Sequence, residues 1–200
     1  MSAVARIAAL VVVVVTFCAR ATFADPSSDE AKAAGRHLLI ALRVLSYDKQ
    51  LADRTPGQAV TIAFVSSPTP EGRALRAQWE AGFALMPKVK VGGRPVKTMS
   101  FDATSDKIIE KQLAAGPSAV IVVDALGERF LGLRQQTRAH HILSISLSED
   151  DAVHGLAVAI VAGRERDQIV VNIEASRAED VRFGAGLLQL AQLVDEGGRK

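Results

Sequence analysis

The residues able to do chemistry in this 200-residue chain are few, and most are hydroxyls. Ser66, Ser67 and Thr69 follow one apolar run, Asp124 ends a second, and Ser146 and Ser148 end a third. In an open α/β sheet ligands sit beyond the carboxyl ends of the parallel strands. Ser66, Ser67, Thr69, Asp124 and Ser146 are therefore the candidate lining of a site for a small polar ligand. The same residue types also cap helices and shape turns, and Asp124 would cap the helix after it equally well.

Other chemistries lack their parts. Serine hydrolysis on such a fold uses a GxSxG turn, which is absent. "SSPTPEG" has neither the glycine spacing nor the lysine of a phosphate loop. The histidines are His37, His140, His141 and His154, with no HxH or HxxxH spacing. If His140 and His141 lie in a strand, they point to opposite faces and do not share a metal. "SEDDAV" reads as a solvated turn or short helix start, and "GRERD" as a hairpin tip. The expectation is a non-enzymatic chain with no cofactor and no metal.

The first residues read as an export signal. Arg6 precedes an apolar run from Ile7 to Phe17, too short for a spanning helix. Cleavage after Ala24 is expected, with Ala21 as the alternative, leaving residues 25–200 as one domain in the periplasm or secreted. Phe17 before Cys18 disfavours lipid attachment, so the single cysteine leaves with the signal. The mature domain then has no disulfide. Loss of Arg6 and Arg20 also brings the formal +2 charge close to zero. With no basic stripe carrying aromatics, nucleic-acid binding is disfavoured.

Positioning the candidate residues requires alternating strands and helices. A helix is expected over Ala31–Leu51, with Ser27 or Ser28 as cap. Its Leu38, Leu42 and Leu45 share one face. Ile40 and Val44 lie on another side, so the helix is either buried twice or meets a partner. Ile40, Val44 and Tyr47 are the interface candidates. Strands follow at Ala59–Val65, Arg94–Phe101, Ser118–Asp124 and His140–Ser146, with helices at Glu71–Met86, Ser105–Ala115 and Leu126–Arg138 between them. "VGG" at Val91–Gly93 reads as a turn. The alternation predicts a three-layer α/β fold: a mostly parallel sheet with crossover helices on both faces. "LAVAIVAGRERDQIVVNI" then predicts an antiparallel hairpin on the sheet edge, followed by a closing helix.

The tail resembles the YfiR family of periplasmic regulators. Gly155 opens a strand and Asn172-Ile173 ends the next. Ala175 and Arg177 take the turn positions, Val181 and Phe183 are apolar anchors, and Leu187, Leu188, Leu190 and Ala191 form the last helix. Gly155, Asn172, Arg177, Phe183, Leu187 and Leu188 are read as a structural signature. Two positions depart from the pattern. Asp180 replaces a glycine, and aspartate tolerates a left-handed turn better than most residues. Gly184-Ala185 replaces a serine pair, which removes a hydroxyl cap. The founding type carries disulfides, so redox sensing is not implied here.

The resemblance implies a periplasmic domain that binds the outer part of an inner-membrane signalling protein, a diguanylate cyclase in the best-known branch, and restrains cyclic-di-GMP synthesis. A sensor kinase is a further partner type, and self-association as a homodimer is possible. The alternative is a small-molecule-binding protein resembling one lobe of a solute-binding protein. Asn172 is expected to satisfy backbone groups where the strand turns.

Overall fold

A computed structural model describes residues 28–55, 57–163 and 166–199. The expected signal peptide, Cys18 and the candidate cap Ser27 lie outside the described residues.

Helix α1 spans Ser28–Ser46, and the one-turn helix α2 spans Leu51–Arg54. Strand β1 is Val60–Ser66 and helix α3 is Pro70–Ala84. A two-residue strand β2, Lys90–Val91, turns through Gly92 and Gly93 into β3, Arg94–Asp102. Both glycines have positive φ, +56° and +78°, as a tight hairpin turn demands. Helix α4 is Asp106–Leu113, β4 is Ala119–Val122, and a 3-10 turn at Gly127–Arg129 leads into α5, Phe130–Ala139. Strand β5 is Leu143–Ser146, α6 is Glu149–Val153, β6 is Val158–Val161 and β7 is Gln168–Asn172. The tail adds α7 at Ile173–Ala178, α8 at Ala185–Leu188, β8 at Gln192–Asp195 and β9 at Gly198–Arg199.

Among the described residues the strands form one sheet in the order β2-β3-β1-β4-β5-β6-β7-β8-β9. From β3 to β6 all neighbours are parallel, β6–β7 is the antiparallel hairpin, and β8 runs parallel to β7. The architecture is the expected three-layer α/β fold. One core joins α1 and α3, through Leu38, Leu42, Leu45 and Trp79, to Ile62, Phe64, Ile121 and Ile145 of the sheet. The other joins α4 and α5, through Ile109, Leu113 and Leu133, to Ala63, Val65, Val120 and Val122. Alternate residues of β1 and β4 thus point into opposite cores, which is why these runs are continuously apolar.

Helices α1 and α3 cross at glycines. A Cβ on Gly82 would lie 2.8 Å from both the Ala31 carbonyl oxygen and the Gly35 nitrogen. The approach is backbone to backbone and no side chain can yield there.

Four expectations are corrected. The first helix ends at Ser46, not Leu51, because the Asp48 carboxylate accepts from the Gln50 amide at 3.0 Å and holds a turn before α2. The fourth strand begins at Leu143. His140 caps α5 and His141 has φ +53°, so neither histidine lies in a strand. The hairpin is not the sheet edge, since β8 and β9 continue beyond it. The closing helix is a single turn, and Gln192–Asp195 of the leucine-rich tail is strand.

Candidate functional site

The parallel strands lie in the order β3-β1-β4-β5-β6, so the winding direction reverses between β1 and β4, where such sheets open a crevice. The structure brings Ser66, Ser67, Thr69 and Asp124 together at that point. Asp124 reaches across from the end of β4 instead of capping α5. Its Oδ1 accepts from the Ser67 amide at 2.8 Å and its Oδ2 from the Ser67 hydroxyl at 2.5 Å. Ser67 Oγ also meets Thr69 Oγ1 at 2.9 Å, and Thr69 caps α3 by accepting from the Gly72 amide at 3.0 Å. The start of α3 presses onto this group: a Cβ at Gly72 would meet Asp124 Oδ2 at 2.5 Å.

Ser66 is fully buried and donates to Asp102 Oδ1 at 3.3 Å, its cross-strand partner on β3. Asp102 also pairs with Arg73, at 2.8 Å, and with Arg76. Burial alone would push Asp102 up, but the hydrogen bonds and charges of the two arginines outweigh it and hold it below the usual carboxylate range. Ser146 sits apart, at the end of β5, donating to the Ser148 carbonyl at 3.0 Å. The hydroxyls chosen from sequence thus serve neighbouring carboxylates, one another and the local backbone.

The open space lies one strand further along. Between the β4–α5 and β5–α6 connections is a cleft of about 350 Å³ walled by Leu126, Phe130, Leu131, Arg134, Asp151 and His154. It meets a recess of about 190 Å³ that runs to Asp124 and Ser148. Ala125 and Asp151 line both. Of the strand-end residues singled out from sequence, Asp124 and Ser148 reach this space. The remaining walls carried no motif.

The signature residues gather at the other end of the sheet. Asn172 is fully buried and caps α7. Its Oδ1 accepts from the Ala175 amide at 2.9 Å and its Nδ2 donates to the Ala152 carbonyl of α6 at 2.8 Å. Gly155 has φ +102° and lies three residues ahead of β6. Asp180 has φ +55°, the left-handed turn its position implied. Gly184 provides no side-chain cap for α8. Leu187 is buried, while Phe183 and Leu188 pack at the margin of the core.

The segment after α1 is stitched to this tail. The Lys49 amide donates to the Arg182 carbonyl at 2.9 Å and the Gly184 amide to the Tyr47 carbonyl at 2.9 Å. Asp48 accepts from the Arg182 amide at 3.2 Å and pairs with the buried Arg54 at 2.5 Å. Arg54 in turn donates to the His141 carbonyl. Of the three interface candidates at α1, only Val44 is removed from the surface. Val44 is 1% exposed and belongs to the core, and Ile40 and Tyr47 are half-buried against it. The helix is buried twice, with Arg36, Leu39, Arg43 and Ser46 left outside.

Next to the stitch runs a groove of about 230 Å³ floored by Ile173, Val181, Phe183 and Leu188. It adjoins a second recess of about 320 Å³, and Arg177, Val181 and Arg182 line both. Arg177 and Arg182 are exposed, and among the described residues their guanidinium groups make no hydrogen bond or ion pair.

Sequence reasoning missed Glu179. It is fully buried at the end of α7, and burial pushes its carboxyl up to about 7 despite hydrogen bonds from Ser144 and Thr137 and the charge of Arg138. No spacing marks it, because its partners lie far away in the chain. Among the described residues no cluster of His, Cys, Asp or Glu is arranged to hold a metal, and no helix is long and apolar enough to cross a membrane.

The family described as YfiR/HmsC-like matches residues 42–192, most of the chain. No curated protein matches it. Three solved structures share the fold. An ABC domain from Streptococcus pneumonia in complex with L-Trp has TM-score 0.53, 12% identity, and covers 76% of this chain and 60% of its own. A conserved domain protein from Vibrio cholerae has TM-score 0.56, 11% identity, and 81% and 60% coverage. A ligand-free, open substrate binding protein with adhesive properties from Clostridium difficile has TM-score 0.54, 12% identity, and 76% and 59% coverage. The chain thus spans about three fifths of each of them.

Proposed function

The chain belongs to the YfiR/HmsC-like family, and from that membership we propose that it is a non-enzymatic periplasmic regulator that binds the outer part of an inner-membrane signalling protein. The family match carries this reading. The partner we assign is a diguanylate cyclase or a sensor kinase. A soluble domain controls such a protein by binding one of its conformations more tightly than the other. The difference between the two affinities limits how far the equilibrium moves.

The face we assign to the contact is the tail groove. It offers an apolar floor, Ile173, Val181, Phe183 and Leu188, lined also by Arg177 and Arg182, whose guanidinium groups are unpaired among the described residues. Buried apolar centres with charged rims are the ordinary anatomy of such interfaces.

The test is capture. The tagged mature chain is mixed with purified periplasmic domains of the inner-membrane cyclases and kinases encoded by the same organism. One of these domains is expected to bind saturably, and deletion of the chain is expected to change the output of that partner, with cyclic-di-GMP rising if it is a cyclase. Absence of binding to every domain, together with unchanged output on deletion, refutes the proposal.

A further inference from the structure

We infer that the cleft between the β4–α5 and β5–α6 connections is a binding site for a small amine carried on an apolar or aromatic body. This site is separate from the tail groove and does not depend on the partner reading.

The geometry supports it in three ways. First, the cleft lies beyond the carboxyl ends of β4 and β5, the edge of the sheet where open α/β folds bind ligands. The hydroxyl group at the switch point itself is closed by its own hydrogen bonds, so this is the part of that edge with room. At about 350 Å³ it falls in the range of small-molecule sites.

Second, one wall is apolar and part of it is uncovered. Leu126 is almost fully buried, Phe130 is half-buried, and Leu131 at the rim is 56% exposed. Among the described residues nothing packs over Leu131 to remove that surface from water, and a ring or alkyl chain laid against it would.

Third, the polar side of the cleft has an unmatched negative charge. Asp151 lines both the cleft and the adjoining recess, and no basic side chain among the described residues lies within ion-pair distance of it. Burial and the neighbouring Asp150 charge push its carboxyl up, against the Ser146 hydroxyl and His154. Arg134 also lines the cleft, but its guanidinium is engaged by the His154 carbonyl at 2.9 Å and forms no ion pair with Asp151. An ammonium group beside Asp151 supplies the missing counter-charge.

The experiment is a calorimetric titration of the mature protein with 2-phenylethylamine, with 3-phenylpropionate as the acid of similar shape. The amine is expected to bind saturably and the acid to bind at least about tenfold more weakly. Asp151→Asn and, separately, Leu131→Ser are each expected to weaken the amine about tenfold or more. Circular dichroism confirms that each variant is folded, and Leu131 is exposed enough for its variant to report binding even if Asp151→Asn loses stability. The inference is overturned if the amine does not saturate by about 10 mM, if the acid binds as well as the amine, or if folded Leu131→Ser binds the amine unchanged.

Discussion

The Glu179 carboxylate accepts two hydrogen bonds from one residue, Ser144: the amide at 2.8 Å and the hydroxyl at 2.6 Å. Ser144 Oγ at the same time accepts from the Ala157 amide at 2.8 Å, at the approach to β6. A glutamate of the tail therefore completes the hydrogen bonding of β5 and the entry to β6. The tail is bound to the sheet by polar contacts inside the protein as well as by leucines.

That arrangement sets a pH dependence. A free glutamate titrates near 4.5, and burial raises Glu179 to about 7 in the folded chain. The folded state holds the extra proton between those values. Stability from this group is thus full below pH 4.5, falls as pH rises through 7 and is flat above. The size is on the order of 3 kcal/mol. Glu179→Gln is expected to remove this slope, seen as the difference between wild-type and variant urea midpoints from pH 4.5 to 8. Parallel midpoint curves would show that Glu179 does not titrate there.

Asn172→Ala removes the cap of α7 and the tie to Ala152 in one step. The expected cost is about 1–3 kcal/mol, because the Ala175 amide and the Ala152 carbonyl lose a buried partner. The measurement is the Tm, expected to fall by several degrees. An unchanged Tm would mean that other groups or water replace the amide.

Gly82→Ala pushes a methyl group into the α1 backbone at the helix crossing. Overpacking of this kind costs about 1–3 kcal/mol, whereas alanine in an exposed helix would stabilise. Denaturant unfolding decides the sign, and a stabilised variant would show that the helices separate easily.

Val44→Ser is expected to cost about 2–4 kcal/mol, since it loses apolar packing and buries a hydroxyl. Leu39→Ser, on the outer stripe of the same helix, is expected to stay within about 0.5 kcal/mol of wild type. Equal losses in urea unfolding would contradict the orientation of α1.

Arg177→Ala combined with Arg182→Ala is expected to leave the Tm nearly unchanged, as both side chains are exposed and unpaired among the described residues. The same pair should weaken capture of the signalling partner and reduce its salt dependence. Undiminished capture would move the interface to another face while leaving the regulator reading in place.

The periodicity of the chain alone determined the layers. Runs rich in β-branched residues such as Val60–Val65 and Ala119–Val122 have one stable place, the middle of a covered parallel sheet, and the interleaved amphipathic segments must cover it. Asn172 was also legible, because a cap is a local property of a few neighbouring residues, and the left-handed turn at Asp180 followed from the family resemblance. Only the tertiary structure decided the rest. Gln192–Asp195 continues the leucine-rich tail, yet the free side of β7 recruits it as a strand. Val44 is core because the tail and the sheet together leave α1 only a narrow outer stripe. Ser67 and Asp124 are each ordinary turn residues in sequence, and they become partners only where β1 and β4 lie side by side. Glu179 and Asp48 owe their roles to the groups brought against them from distant parts of the chain. Burial and charge pairing are properties of that assembled neighbourhood, and no local spacing encodes them.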